Sequence, residues 1–317
     1  MAFALDNHWV WDFWLADDGR LFHMYFLHAP HALGDPDLRH RNARIGHATS
    51  PDLVDWTYHG RAFEAGDAGD FDETATWTGS LVRGQDGLWR MFYTGSRFLA
   101  PDSHANIETI GVATSPDLFH WTKQPGPVCQ ADPRWYETLG MSSWPEEAWR
   151  DPWVFAAADG AGWHMLITAR SKDGDALDRG VIGHATSKDL AVWSVQPPLS
   201  RTGAGFAHLE VPQIVTIDGG IHLLFSCNAT KLAGSRLGTM GGIWSVATAA
   251  ADGPYRIETA SLLSSETLYS GRIIEDRNGR PVMLAFHNLG KDGSFPGVIT
   301  DPMPVVERGG RLQIEIV

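Results

Sequence analysis

Cysteine is scarce in this sequence, and basic residues are outnumbered. The 317 residues include two cysteines, Cys129 and Cys227. They lie in unrelated contexts and form neither a disulfide framework nor a zinc-binding pattern, so we expect free thiols. Lys and Arg total 25 against 38 Asp and Glu, which gives a formal net charge of −13. This charge repels phosphate backbones and no basic cluster offsets it, so nucleic acid is not an expected partner.

Long apolar runs are also missing. No stretch approaches the roughly 18 apolar residues of a membrane-spanning helix, so we expect no membrane partner. The first ten residues, MAFALDNHWV, have neither the basic segment nor the apolar segment of a signal peptide. The predicted location is therefore cytoplasmic, or extracellular if a leader has been removed. The sequence leaves the oligomeric state open.

Tryptophan, in contrast, is abundant, with 14 residues. Its flat ring stacks on the apolar faces of sugars, but it packs equally well inside a protein core. The excess is therefore compatible with a carbohydrate ligand without requiring one.

Two short segments recur along the chain. The first is a strand followed by a turn that ends in tryptophan. Its three full copies are GHATSPDLVDW at 46–56, GVATSPDLFHW at 111–121 and GHATSKDLAVW at 183–193, and IWSVAT is a partial fourth copy. The second is an apolar run that follows an Asp-Gly or Asn-Gly turn, as in the second strand of a hairpin. Its five copies begin at residues 21, 88, 162, 220 and 281.

Five such units without convincing helical periodicity predict an all-β fold. We expect a single five-bladed β-propeller with four antiparallel strands per blade and no C-terminal β-sandwich. The whole chain, 1–317, is then one propeller domain. Its predicted blades span residues 6–60, 74–125, 148–198, 207–258 and 266–317.

The repeats separate structural acids from unusual ones. Asp52, Asp117 and Asp189 recur at one position of the repeated turn, so we interpret them as turn-capping residues. The first strand of each blade behaves differently. It contains an acid in VWDFW, WRDPW and HLEVP, namely Asp12, Asp151 and Glu210, whereas the same strands of the other two blades read WTGS and YSGR.

Each of these three acids lies twelve to fourteen residues before an equivalent apolar residue in the second strand of its blade. They should therefore converge at one end of the central channel. Such a cluster raises the pKa of at least one member by mutual repulsion, which is typical of an active site. The alternative is a structural ring around water or a cation. Pro152 can follow Asp151 because an innermost strand is a sheet edge.

The motifs VWDFW, WTGS, RDP and ExP, in this order on five blades, resemble the fructan-acting glycoside hydrolases of families 32 and 68. The chain departs from family 32, which has asparagine before and proline after the first acid, because Trp11 and Phe13 flank Asp12 here. The resemblance implies that Asp12 is the nucleophile, that Asp151 binds sugar hydroxyls and that Glu210 is the acid/base. Family 43, which acts on arabinofuranosides and xylosides, is a related propeller with three carboxylates.

The chemistry implied is a retaining hydrolysis of β-fructofuranosides through a glycosyl-aspartate, with fructosyl transfer by the same intermediate. An inverting furanosidase or xylosidase and a non-catalytic carbohydrate-binding propeller are the alternatives. Apolar neighbours of Glu210 are expected to raise its pKa, as an acid catalyst requires. The candidates for substrate contacts are Trp11, His28, Trp77, Ser80, Arg150 and Tyr269. We expect no cofactor, and no metal site, because His23 and His28 lie on opposite faces of a strand.

Overall fold

The computed structural model describes residues 2–315, which form five antiparallel sheets of consecutive strands. Blade one contains β1 (His8–Asp17), β2 (Phe22–Pro30), β3 (Arg44–Ser50) and β4 (Thr57–Phe63). Blade two contains β5 (Ala75–Arg83), β6 (Trp89–Phe98), β7 (Asn106–Ser115) and β8 (Thr122–Lys123). A two-residue strand, β9 (Glu146–Glu147), pairs in parallel with β7.

The other three blades repeat the same order. Blade three contains β10 (Trp149–Ala156), β11 (Trp163–Arg170), β12 (Gly180–Ser187) and β13 (Trp193–Gln196). Blade four contains β14 (Glu210–Ile217), β15 (Gly220–Cys227), β16 (Gly242–Thr248) and β17 (Ser261–Ser265). Blade five contains β18 (Leu268–Glu275), β19 (Pro281–His287), β20 (Met303–Arg308) and β21 (Arg311–Ile314).

The five first strands form a closed ring. Each of β1, β5, β10, β14 and β18 contacts the next, and β18 contacts β1. Phe3 and Ile299 exchange backbone hydrogen bonds of 2.8 and 2.9 Å, and Ile299 also pairs with Phe286 of β19, so the amino-terminal segment is joined to blade five. The predicted five-bladed β-propeller with four antiparallel strands per blade is confirmed.

The repeated turn has the structure that its sequence predicts. The Asp52 carboxylate accepts hydrogen bonds of 2.9 Å from the backbone N–H groups of Val54 and Asp55. Asp117 and Asp189 bond in the same way in blades two and three. These aspartates are therefore structural, since each offsets the unpaired donors of a tight turn.

The predicted boundary of blade four is wrong. Its fourth strand, β17, lies beyond residue 258 because the chain first folds back through residues 249–260. Tyr255 and Ile257 of this segment are buried in the core next to Phe225 and Trp244. Among residues 2–315 no helix is both long enough and apolar enough to cross a membrane.

Candidate active site

Every first strand has a β-bulge at the same level of the propeller. The pairing register shifts after Trp11, Trp77, Arg150, Glu210 and Tyr269. The residue that follows each shift is unpaired, and at Asp151, Val211 and Ser270 it has a positive φ, between 50° and 56°. A bulge redirects the side chains on both sides of it, so each blade turns two consecutive residues toward the axis.

Two rings of side chains result. The outer ring consists of the residues before the bulge, Trp11, Trp77, Arg150, Glu210 and Tyr269. The inner ring consists of the bulged residues, Asp12, Thr78, Asp151, Val211 and Ser270. All of them except Ser270 line one cavity of about 650 Å³. Glu210 directly precedes its bulge, whereas the two aspartates are bulged residues, so Glu210 lies one position earlier in its strand. Because each bulge turns both positions toward the axis, all three acids reach the same cavity.

Loops between the second and third strands also line this cavity. Blade one contributes residues 37–41, and blade two contributes residues 101–104. Asn228, Lys231 and Asn288 supply polar groups from blades four and five.

Asp12 is held by two hydroxyl groups from neighbouring blades. Thr78 donates a hydrogen bond of 2.7 Å to Oδ2, and Ser270 donates one of 2.5 Å to Oδ1. Burial raises the pKa of Asp12 above its ordinary value, and the nearby Glu210 adds to this, while the two hydroxyl groups and Arg272 oppose it. Both carboxylate oxygens are therefore fixed in orientation by neutral donors.

Asp151 is buried and rigidly placed. Its Oδ2 accepts hydrogen bonds from Thr168 at 2.9 Å and from the backbone N–H of Val211 at 3.1 Å. Burial raises the pKa of Asp151 to about 7, against the attraction of Arg150 and with further repulsion from Asp12. A carboxyl group with this pKa exchanges its proton near neutral pH.

The surroundings of Glu210 lower its pKa, whereas those of Asp151 raise the pKa of that residue. Arg150 donates a hydrogen bond of 2.8 Å to Oε1, and the Tyr269 hydroxyl donates one to Oε2. Burial by itself favours the protonated form, but His208 and Arg150 lower the pKa of Glu210 to about 2, helped by Tyr269. The predicted rise in this pKa is wrong, because the polar partners outweigh the apolar residues on either side in the sequence.

Arg150 stands at the centre of a group of acids. Its Nη1 donates hydrogen bonds of 2.9 Å to Glu108 and 3.1 Å to Glu146, in addition to the Nη2 bond to Glu210. Its Nε lies 3.7 Å from the Asp151 carboxylate. Burial raises the pKa of Glu108 to about 8, since that side chain is fully enclosed. One guanidinium therefore positions glutamates from blades two and four and from the segment between blades two and three.

The three aromatic residues among the predicted substrate contacts lie at the cavity. Trp11, Trp77 and Tyr269 all line the cavity. The Trp77 indole donates a hydrogen bond of 2.8 Å to the backbone oxygen of His40, which fixes the loop of blade one over the site. Arg39 from this loop lies 5.6 Å from the Trp11 ring.

Two predicted contact residues do not line the cavity. Ser80 is buried two residues beyond the bulge, where it accepts a hydrogen bond of 3.1 Å from the backbone N–H of Val154. The bulge gives the axial position to Thr78 instead. His28 is buried on β2 with its ring 5.2 Å from that of His8. Neither side chain is placed to contact a substrate in the cavity.

Sequence reasoning missed several groups that the site uses. Thr78 and Ser270 occupy the same repeat position as Asp12 and Asp151, so aligning the first strands at their bulges identifies them. Glu108 had a weaker signal, since it is the one charged residue in the sequence of β7, NIETIGVATS. In the described part of the chain no three His, Cys, Asp or Glu side chains are arranged to hold a metal ion.

Comparison with known proteins places this geometry in context. The family model described as "Glycosyl hydrolases family 32 N-terminal domain" matches residues 15–294. Raffinose invertase of Escherichia coli is 27% identical over 310 residues, which cover 92% of this chain and 58% of that protein. Sucrose-6-phosphate hydrolase of E. coli is 25% identical over 285 residues, covering 84% and 54%. The chain thus spans a little over half the length of these relatives.

Solved structures share the fold. Inulosucrase from Halalkalicoccus jeotgali bound to kestose superposes with a TM-score of 0.82 at 21% identity, covering 98% of this chain and 87% of that one. Bacillus subtilis levansucrase gives a TM-score of 0.76 at 15% identity, covering 98% and 86%. The family match begins three residues after Asp12. The position of that carboxylate is therefore supported by the site geometry rather than by the match.

Proposed function

The chain belongs to glycosyl hydrolases family 32, and from this premise we propose that it hydrolyses β-fructofuranosides such as sucrose or a fructan, with fructosyl transfer as a side reaction. The observation that carries the proposal is the convergence of Asp12, Asp151 and Glu210 in one cavity. The cavity size suits a small carbohydrate, and its aromatic wall suits a sugar face. Residues 1–317 act as one catalytic domain.

The first step forms a covalent bond to Asp12. Its carboxylate attacks the anomeric carbon of the fructosyl unit while the bond from that carbon to the leaving oxygen breaks. Glu210 transfers its proton to the leaving oxygen and becomes a carboxylate. The hydrogen bonds from Thr78 and Ser270 hold Asp12 in one orientation, which lowers the entropic cost of the attack.

The second step releases the sugar. Glu210, now a carboxylate, takes a proton from water, and the water oxygen bonds to the anomeric carbon as the bond to Asp12 breaks. Asp12 returns to a carboxylate and Glu210 to the acid. A sugar hydroxyl in place of water gives fructosyl transfer. Asp151 accepts hydrogen bonds from ring hydroxyls, and these tighten as positive charge develops on the ring.

The resting protonation state differs from the reactive one. Glu210 has a pKa of about 2, whereas Asp151 has a pKa of about 7 and that of Asp12 is raised. At rest Glu210 is therefore ionised, and Asp151 holds a proton more readily than Glu210 does. In the reactive form the proton is on Glu210 and the negative charge is on Asp12. The net charge of the three carboxyl groups together is unchanged. The three carboxyl groups titrate as one coupled system.

The stereochemistry of the reaction tests this proposal. Purified protein is given sucrose, inulin, levan and a nitrophenyl β-fructofuranoside, and the first product formed is followed by NMR. We expect fructose to appear first with the β configuration of the substrate. An initially inverted anomer excludes the covalent step on Asp12. Binding of these sugars without turnover indicates a carbohydrate-binding propeller. A cytoplasmic location stays a prediction.

A further inference from the structure

Arg272 is a buried cation that the mechanism above does not use. It lies on β18, two residues after Ser270, and is 1% exposed. Other enclosed arginines pair with acids: Arg150 bonds Glu108 at 2.9 Å and Arg170 bonds Glu137 at 2.7 Å. In the described part of the chain, the hydrogen bonds of Arg272 go to backbone carbonyl oxygens.

These carbonyl groups come from two other blades. Nε donates to Phe13 at 3.3 Å, and Nη1 donates to Pro212 at 2.8 Å and to Val211 at 3.4 Å. The Trp153 ring of blade three lies 5.2 Å from the guanidinium carbon. Side chain and partners thus span four of the five blades, so the charge lies close to the propeller axis.

The carbonyl groups lie in or beside two bulges. Val211 and Pro212 are the unpaired residues of the bulge in β14, and Phe13 is the residue at which the pairing of β1 resumes after Asp12. Buried carbonyl oxygens need donors, and Arg272 supplies them. The guanidinium is consequently tied to the backbone next to the nucleophile and next to the acid/base.

The third guanidinium nitrogen of Arg272, Nη2, differs from the two that donate to carbonyl groups. Nη2 is buried and makes no hydrogen bond within residues 2–315. Burial lowers the pKa of Arg272 to about 10, while the charges of Asp151 and Asp12 oppose that decrease. The side chain is therefore still a cation at neutral pH. A buried cation without a paired acid is costly unless nearby negative charge compensates it.

Within residues 2–315, Asp12 forms no ion pair with a lysine or arginine side chain. Its direct partners, Thr78 and Ser270, are neutral, while Arg150 is shared among three glutamates. The charge of Arg272 acts to keep Asp12 ionised. The other charged or titratable groups that interact with Asp12 are Asp151, Glu210, Tyr269 and, from the blade-one loop, Arg39.

We propose that Arg272 is a positioning residue for the reaction: a built-in axial cation that offsets the charge of the two aspartates and fixes the strand that carries Asp12. Its positive charge compensates the carboxylates, as a bound metal ion does in other carboxylate clusters. It does not touch the substrate, since it lies outside the cavity lining. The catalytic part of this inference rests on the proposed function, whereas the electrostatic part does not.

The test compares Arg272→Lys, which keeps the charge, with Arg272→Gln, which keeps a donor for the carbonyl groups. The pKa of Asp12 is measured by carbon NMR of side-chain carboxyl groups, assigned with Asp12→Asn. We expect Arg272→Gln to raise this pKa by about one unit or more, as for an aspartate that loses a nearby arginine. Arg272→Lys should restore most of the difference. Arg170→Gln, at another buried arginine, should leave the pKa of Asp12 unchanged.

Activity provides the second measurement. On sucrose, the acid limb of kcat/KM should move to higher pH in Arg272→Gln and return in Arg272→Lys. A folded Arg272→Gln with an unchanged Asp12 pKa overturns the inference, as does a lysine variant that behaves like glutamine. If Arg272→Gln does not fold, the lysine variant decides: an Asp12 pKa near the wild-type value supports the inference, and one raised by a unit overturns it. If the wild type is inactive on all fructosides, the proposed function fails while the NMR measurement still tests the electrostatic role.

Discussion

Arg150 Nη2 on blade three donates a hydrogen bond of 2.8 Å to Oε1 of Glu210 on blade four. Both residues directly precede the bulge of their strands, so the same backbone irregularity aims them at each other. Because Asp151 follows Arg150 in the chain, this contact also sets the spacing between two of the three acids. The Glu210 carboxyl group is therefore ionised at rest and is positioned by a cation.

Replacing Glu210 with Gln removes the proton donor while keeping the size of the side chain. We expect kcat on sucrose to fall about 10²- to 10⁴-fold, the range for loss of a general acid. On a nitrophenyl fructoside the bond-breaking step should lose less, because nitrophenolate leaves without protonation. Burst kinetics on both substrates separate this step from release of the sugar. Glu275→Gln, at an exposed position, is the control. Equal losses in bond breaking on the two substrates argue against the acid role.

Replacing Asp12 with Ala removes the attacking carboxylate. Turnover should fall by at least about 10²- to 10⁴-fold on every fructoside while the fold is retained, as judged by circular dichroism. Asp55→Asn, an exposed aspartate of the same blade, should behave as the wild type does. Near-normal activity of Asp12→Ala contradicts the assignment of Asp12 as nucleophile.

Replacing Thr78 with Val deletes one of the two hydroxyl donors to Asp12. A hydrogen bond to a charged group contributes about 1.5–3 kcal/mol, so kcat/KM should fall roughly 10- to 100-fold. The pKa of Asp12 should rise further, because its ionised form loses a donor, and the acid limb of the pH profile should move upward. Thr122→Val, at an exposed position in the same blade, is the control. A loss of activity at all pH values without movement of the acid limb indicates a steric effect instead.

Two stacked histidine pairs make the fold sensitive to acid. His23 Nδ1 lies 3.0 Å from His47 Nε2 in blade one, and His164 and His184 repeat this contact in blade three. Burial lowers the pKa of His47 to about 3 and that of His184 to about 4. Above the unfolded value of about 6.5 the His47 and His184 rings are neutral in both states, so they add no pH dependence.

Below that value the unfolded chain binds protons that the native His47 and His184 rings exclude. The free energy of unfolding should therefore decrease as pH falls from about 6.5 toward 4. Urea unfolding at a series of pH values measures this decrease. His47→Gln should make the pH dependence shallower than in the wild type, whereas His31→Gln, at an exposed histidine, should not. Equal slopes for His47→Gln and the wild type contradict the attribution to His47.

The blade count and the identity of the three acids could be read from the sequence alone, because both depend on local patterns. Asp-Gly turns, the SPDL caps and alternating apolar runs act over a few residues and recur in each blade. Against that repetition, Asp12, Asp151 and Glu210 stand out as charged residues found in single blades. Their convergence then follows from the symmetry of a ring.

Tertiary structure decided what those acids do electrostatically. A one-residue shift in register sends a side chain to the other face of a strand, so the bulges choose Thr78 over Ser80 and bring Glu210 level with the aspartates. The pKa of Glu210 depends on Arg150 and His208, and the charge near Asp12 comes from Arg272, about 260 residues away in the chain. Local sequence does not identify such neighbours, because the distances between these charges are set only when the ring of blades closes.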